Sequence, residues 1–95
     1  MKLFLFIALL GITSLSSAQT GSGRIISQED QKPIPFAKIY FVDLEKLIFA
    51  DSLGNWTAEN IPEGINHLII SATGFGSIHY DYPNNGKSVD ISLEK

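Results

Sequence analysis

The sequence contains no cysteine in 95 residues. That excludes disulfides, a thiolate zinc site and a catalytic thiol, and it leaves no cysteine behind an export signal to carry a lipid. Only two histidines occur, His67 and His79. A zinc site needs three or four ligands with a supporting shell, and two histidines on separate strands without a His-x-x-Glu spacing fall short. Asp43, Glu45 and Asp51 are too loosely spaced for a calcium loop. Basic residues number 7 against 10 acidic ones, and none are clustered. A mildly acidic chain without such clusters is a poor match to nucleic acid or to an anionic membrane surface. No Gly-x-Ser-x-Gly elbow exists, and Ser52 and Ser71 have no base beside them in any motif. Paired carboxylates for acid–base chemistry would need a pocket, and a core filled by Phe, Ile and Trp leaves little room for one. The sequence therefore predicts no catalytic residue, no cofactor site and no bound metal.

Long apolar runs are also scarce, and the one present is informative. Met1-Lys2 is a short basic start, Leu3–Ile12 is apolar on every side, and Thr13–Ala18 turns small and polar. Ser16-x-Ala18 is a small-x-small cleavage site, so residues 1–18 read as a secretory signal peptide. The run is too short to span a bilayer, which needs about 20 apolar residues. The mature chain is expected to be a single domain, Gln19–Lys95, with no membrane span. Lys2 is the signal's only charged residue, so its removal takes the net charge from −3 to −4. Small exported domains usually lean on disulfides. This one must rely on an apolar core or on docking to something larger.

Helix signals are nearly missing from the rest. Short runs rich in β-branched and aromatic residues recur between turn residues. Strands are predicted at Gly23–Gln28, Ala37–Asp43, Leu47–Asp51, Asn55–Glu59, Ile65–Ala72, Ile78–Tyr82 and Ser88–Leu93. Lys32-Pro33-Ile34-Pro35 reads as an extended connector stiffened by proline. On the second strand Ala37, Ile39 and Phe41 share one face. Ile39, Phe41, Trp56, Leu68 and Ile70 are the expected core. The fifth strand is nearly continuous in apolar residues and is expected to be central. Asp43–Ile48 is the one segment that competes as a helical turn. Asn55-Trp56-Thr57 matches a glycosylation sequon, but the strand reading of Trp56 accounts for the segment better.

The turns are specific. Asp51-Ser52-Leu53-Gly54 suits a type I turn followed by a left-handed residue, with Asp51 capping its own turn. In Ile61-Pro62-Glu63-Gly64, Pro62 and Gly64 fill the second and fourth positions of the same turn type. Asn84-Asn85-Gly86 suits a tight hairpin. About seven strands with turn signals roughly every ten residues predict an all-β fold, a small antiparallel sandwich.

The order of these motifs resembles the carboxypeptidase regulatory-like domain, a transthyretin-like (prealbumin-like) β-sandwich. The resemblance rests on a Gly-x-Ile first strand, Ala37-x-Ile39-x-Phe41, and Asp51-x-x-Gly54-x-Trp56. It continues through Ile61-Pro62-x-Gly64 and Leu68-x-Ile70-Ser71-x-x-Gly74-Phe75, covering about Ser22 to Leu93. Asn66 departs from it, standing where that family usually carries an aromatic residue. The resemblance implies a non-catalytic interaction module at the periplasmic face of the outer membrane, with a protein partner there. The expected host is a TonB-dependent receptor, with the domain as its N-terminal accessory part or a truncated relative. The alternatives are a regulatory or folding-support module of an exported peptidase, and a free-standing cell-surface adhesion domain. The reading frame beyond Lys95 separates them: a plug and barrel, a hydrolase domain, or a stop. For contact, the sequence offers Phe75, Tyr80 and Tyr82, together with Tyr40, as an aromatic patch. It also offers strand addition at an edge beside Pro33 and Pro35.

Overall fold

Seven strands and no helix make up residues 18–95, the part of the chain that the computed structural model describes. The segment expected to be an export signal, residues 1–18, lies outside the described residues except for Ala18, which opens the first strand. The strands are β1 (Ala18–Ser27), β2 (Lys38–Phe41), β3 (Lys46–Phe49), β4 (Asn55–Pro62), β5 (Gly64–Ala72), β6 (Phe75–Asn84) and β7 (Val89–Leu93). They form two sheets, ordered β4-β1-β7 and β3-β2-β5-β6. This is the β-sandwich that the strand and turn pattern predicts, and β5 is interior to its sheet. Every pairing is antiparallel except one: β7 runs parallel to β1, with Ile25 opposite Ile91.

Asp43–Ile48 forms no helix. Val42–Glu45 is a turn, in which the Glu45 N–H donates to the Val42 carbonyl at 3.3 Å with Glu45 at φ 51°. The chain then enters β3 at Lys46. Ile48 lies opposite Ile39 in the β2–β3 ladder and packs on the core from there, whereas a single isolated helical turn is a costly nucleus with few bonds to offset it.

The turn at Asp51 has the expected chemistry. Gly54 N–H donates to the Asp51 carbonyl at 3.0 Å, and Gly54 sits at φ 80°. Asp51 Oδ1 accepts from the N–H groups of Leu53 at 2.8 Å and Asn55 at 3.0 Å. The Pro62–Gly64 turn carries the chain from one sheet to the other, with Gly64 at φ 94°. Asn66 explains its departure from the aromatic pattern here. Its Nδ2 donates to the carbonyls of Pro62 at 2.9 Å and Gly64 at 3.2 Å, holding this turn closed.

The Asn84-Asn85-Gly86 hairpin is corrected. Its flanking strands, β6 and β7, lie in different sheets. Of the Asn85-Gly86 pair only Gly86 has positive φ, at 86°, so the two-residue hairpin geometry is not formed. Asn84 is instead buried, and its Nδ2 donates to the carbonyl of Ile61 at 3.1 Å.

The core lies between the sheets. Ile25, Trp56, Ala58, Ile61, Ile91 and Leu93 come from one side, and Ile39, Phe41, Leu68, Ile70 and Tyr82 from the other. The indole of Trp56 meets Phe41 and Tyr82 edge to face, at centroid distances of 6.0 and 5.4 Å. Such aromatic pairs add roughly 0.5–1.5 kcal/mol each beyond burial.

Candidate functional site

Alternation along β6 decides the fate of the aromatic patch. Ile78, Tyr80, Tyr82 and Asn84 share the face turned toward the core, and Ser77, His79 and Asp81 face outward. Tyr82 is therefore fully buried, and its assignment as a surface contact is corrected. Its hydroxyl made a surface position plausible from sequence, but that polar atom is satisfied inside. Tyr82 Oη accepts from the Ser22 N–H at 3.1 Å and donates to Asn84 Oδ1 at 3.2 Å. Tyr80 is half-buried and packs on the core. Phe75 is also half-buried against the core, with Lys95 Nζ 6.0 Å from its ring centroid. Its remaining face lines an open groove of about 310 Å³ with Phe36, Lys38, Ser71, Thr73 and Ser77. Tyr40 stands apart from these three, on the outward face of β2 opposite Leu47.

His67 and His79 both lie on the exposed face of their sheet. His67 Nδ1 is 2.9 Å from Asp81 Oδ1 across the β5–β6 pair. That hydrogen bond, and then the charges of Asp43 and Asp81, hold the imidazole pKa above its usual value. Among the described residues no group of three or more His, Asp or Glu is placed to hold a metal.

The edge expected beside Pro33 and Pro35 is not free, which is a second correction. Pro33 bridges Ile26. Ser27 N–H donates to the Lys32 carbonyl at 2.8 Å, and Ile34 N–H to the Ile25 carbonyl at 2.9 Å. The connector thus extends the sheet along the end of β1 that β4 leaves uncovered.

An apolar surface exists elsewhere. Among the described residues seven large apolar side chains are exposed, and six of them fall between Phe36 and Leu53: Phe36, Val42, Leu44, Leu47, Phe49 and Leu53. They mark the β2–β3 hairpin and its flanks. Leu47 and Phe49 sit on the outward face of β3, a strand with a neighbour on one side only. Two large apolar side chains side by side on one exposed face are the kind of surface that marks a contact site. The signal was present as Leu47-Ile48-Phe49-Ala50, a run apolar on both faces. Such a run normally marks a strand covered on both sides, yet here it lies at a sheet edge.

A family model described as the CarboxypepD_reg-like domain matches residues 21–95, which is the whole sandwich apart from the first residues of β1. Comparison with curated proteins found no match.

Proposed function

The chain belongs to the CarboxypepD_reg-like domain family, and from that premise we propose that it is an exported, non-catalytic interaction module. Its place is the periplasmic face of the outer membrane, as the N-terminal accessory domain of a TonB-dependent receptor or a truncated relative of one. The observation that carries this reading is the family match over residues 21–95, joined to an apolar hairpin surface that a contact role explains. The export step is supported by the basic start, apolar run and Ser16-x-Ala18 site. Contact proceeds by surface complementarity with a neighbouring periplasmic protein.

Two measurements test the proposal. The intact mass of the exported protein should begin at Gln19, and a mature chain that retains Met1–Ile12 refutes export. In the receptor, deletion of Gln19–Leu93 should weaken substrate uptake while the barrel remains inserted. Full uptake by the deletion strain under substrate limitation refutes the accessory role.

A further inference from the structure

We infer that the free edge of β3 is the docking site, and that it takes an extended partner segment of the pattern basic-x-apolar-x-apolar-x-basic as an added strand. The inference deepens the contact reading above and rests on it.

Four strands lie at sheet edges among the described residues: β3, β4, β6 and β7. β6 is tied at its start, where the Gly76 N–H donates to the Glu94 carbonyl at 2.8 Å just beyond β7. Lys46 Nζ crosses to the Glu59 carbonyl of β4 at 2.7 Å, which braces β3 against the opposite sheet. β4, β6 and β7 each lack a large apolar side chain that is well exposed, except that Ile65 flanks β6 from β5. β3 carries two, Leu47 at 50% and Phe49 at 57% exposure.

The backbone of the same two residues is available. Ala50 N–H donates to the Ala37 carbonyl at 2.9 Å, so the Ala37–Ala50 pair is a hydrogen-bonded one. Hydrogen-bonded and non-bonded pairs alternate along an antiparallel ladder. Ile48 opposite Ile39 then bonds inward to β2, and Leu47 and Phe49 direct their N–H and C=O groups outward. An edge that offers main-chain groups and apolar side chains from the same residues is a template for strand addition.

Charge selects the occupant. Glu45 lies at one end of β3 and Asp51 at the other. Lys46 is engaged with Glu59, and Lys38 lies on β2, on the far side of Phe49 from the free edge. A second copy pairing about Ile48 would match Leu47 with Phe49, but it would bring Glu45 against Asp51. Both lie just beyond the ends of β3, and like charges brought close together there are unfavourable. A segment with basic residues at its two ends and apolar residues between them meets all four positions. The pattern reads the same in both directions, so it fits a parallel or an antiparallel approach.

The test is amide-resolved NMR titration of the purified protein with the acetylated, amidated peptide Lys-Thr-Val-Thr-Val-Thr-Lys. Saturable shifts should centre on Leu47 and Phe49. Affinity should be roughly tenfold higher than for the peptide with Glu replacing both Lys. Backbone N-methylation of the peptide at the edge-facing positions should abolish binding. The double variant Leu47→Thr and Phe49→Thr should weaken binding about tenfold with the fluorescence of Trp56 unchanged, since neither side chain reaches the core. Absence of saturable shifts, shifts centred on another edge, or equal affinity for the Glu peptide overturns the inference. Concentration-dependent shifts at Leu47 and Phe49 without peptide also overturn it, in favour of a second copy. Weakened uptake on domain deletion without peptide binding refutes this edge alone. Peptide binding with full uptake in the deletion strain refutes the receptor role and leaves the edge standing.

Discussion

Gly23 lies directly beneath the indole of Trp56, and a Cβ at Gly23 would stand 2.7 Å from Cζ2 and Nε1 of that ring. The two residues are cross-strand partners in the β1–β4 ladder. The largest side chain of the core folds flat over its own partner because that partner has no side chain. Gly21 stands in a similar relation to Tyr82, with a built Cβ 3.0 Å from the hydroxyl.

Gly23→Ala should therefore force the indole out of its packing. The expected loss is about 1–3 kcal/mol, the usual range for overpacking. Thermal unfolding followed by the fluorescence of Trp56, the only tryptophan, measures it. An unchanged melting temperature with an unchanged emission maximum contradicts the packing described.

Trp56→Ala should cost roughly 3–5 kcal/mol, a large share of the stability of so small a domain. Trp56→Phe should cost much less than that. It keeps an aromatic ring against Phe41 and Tyr82, and it removes an indole N–H that is buried without an acceptor. Equal losses for the two variants in urea unfolding would show that ring burial is not what matters at this position.

Tyr82→Phe removes one hydroxyl from a buried chain of bonds. Ser22 N–H loses its acceptor and Asn84 Oδ1 its donor. The expected loss is about 1–3 kcal/mol, because both partners stay behind. Hydrogen exchange at the Ser22 amide should accelerate in the variant. Unaltered exchange and unaltered stability would argue against the network.

Gly54→Val should destabilise strongly for two independent reasons. Gly54 is at φ 80°, where a β-branched residue is strained, and a Cβ would meet the Ile25 carbonyl oxygen at 2.6 Å. Asp51→Ala in the same turn loses two accepted backbone bonds and should cost about 1–2 kcal/mol. Chemical unfolding of both variants decides it, and a stability equal to the parent in either case overturns the turn geometry.

The His67 pKa is raised, chiefly by its hydrogen bond to Asp81. Asp81→Asn should lower it, as read by NMR titration of the imidazole. A group whose folded pKa exceeds its unfolded value stabilises while protonated. The contribution is thus complete below the ordinary value of 6.5 and fades as pH rises through the raised folded value. An imidazole pKa unmoved by Asp81→Asn would separate the two residues in solution.

The sequence was most readable where the physics is local. Asp51 and Gly54 specify their turn through a side-chain oxygen two residues from the N–H it caps and a backbone region that glycine enters freely. Ala37, Ile39 and Phe41 specify an inward face because a strand alternates every residue. The site was less readable. Tyr82 was expected at the surface, and the exposed Leu47 and Phe49 stood in a run that reads as fully buried.

The sequence by itself determined the all-β class, the order of the strands, the Asp51 turn and the family pattern across the sandwich. Each depends on contacts within a few residues, which the covalent chain places together however the rest folds. Tertiary structure alone decided that β7 crosses to the other sheet and pairs parallel with β1, so Asn85-Gly86 turns between layers and not within a hairpin. It decided that Tyr82 finds a polar partner on β1 in the Ser22 N–H and faces inward, and that Gly21 and Gly23 are platforms for aromatic rings. It also decided that the apolar run of β3 ends a sheet. The reason is common to all of these. Alternation tells which residues of a strand share a face, but which face is covered, and which edge is left open, depends on strands distant in sequence.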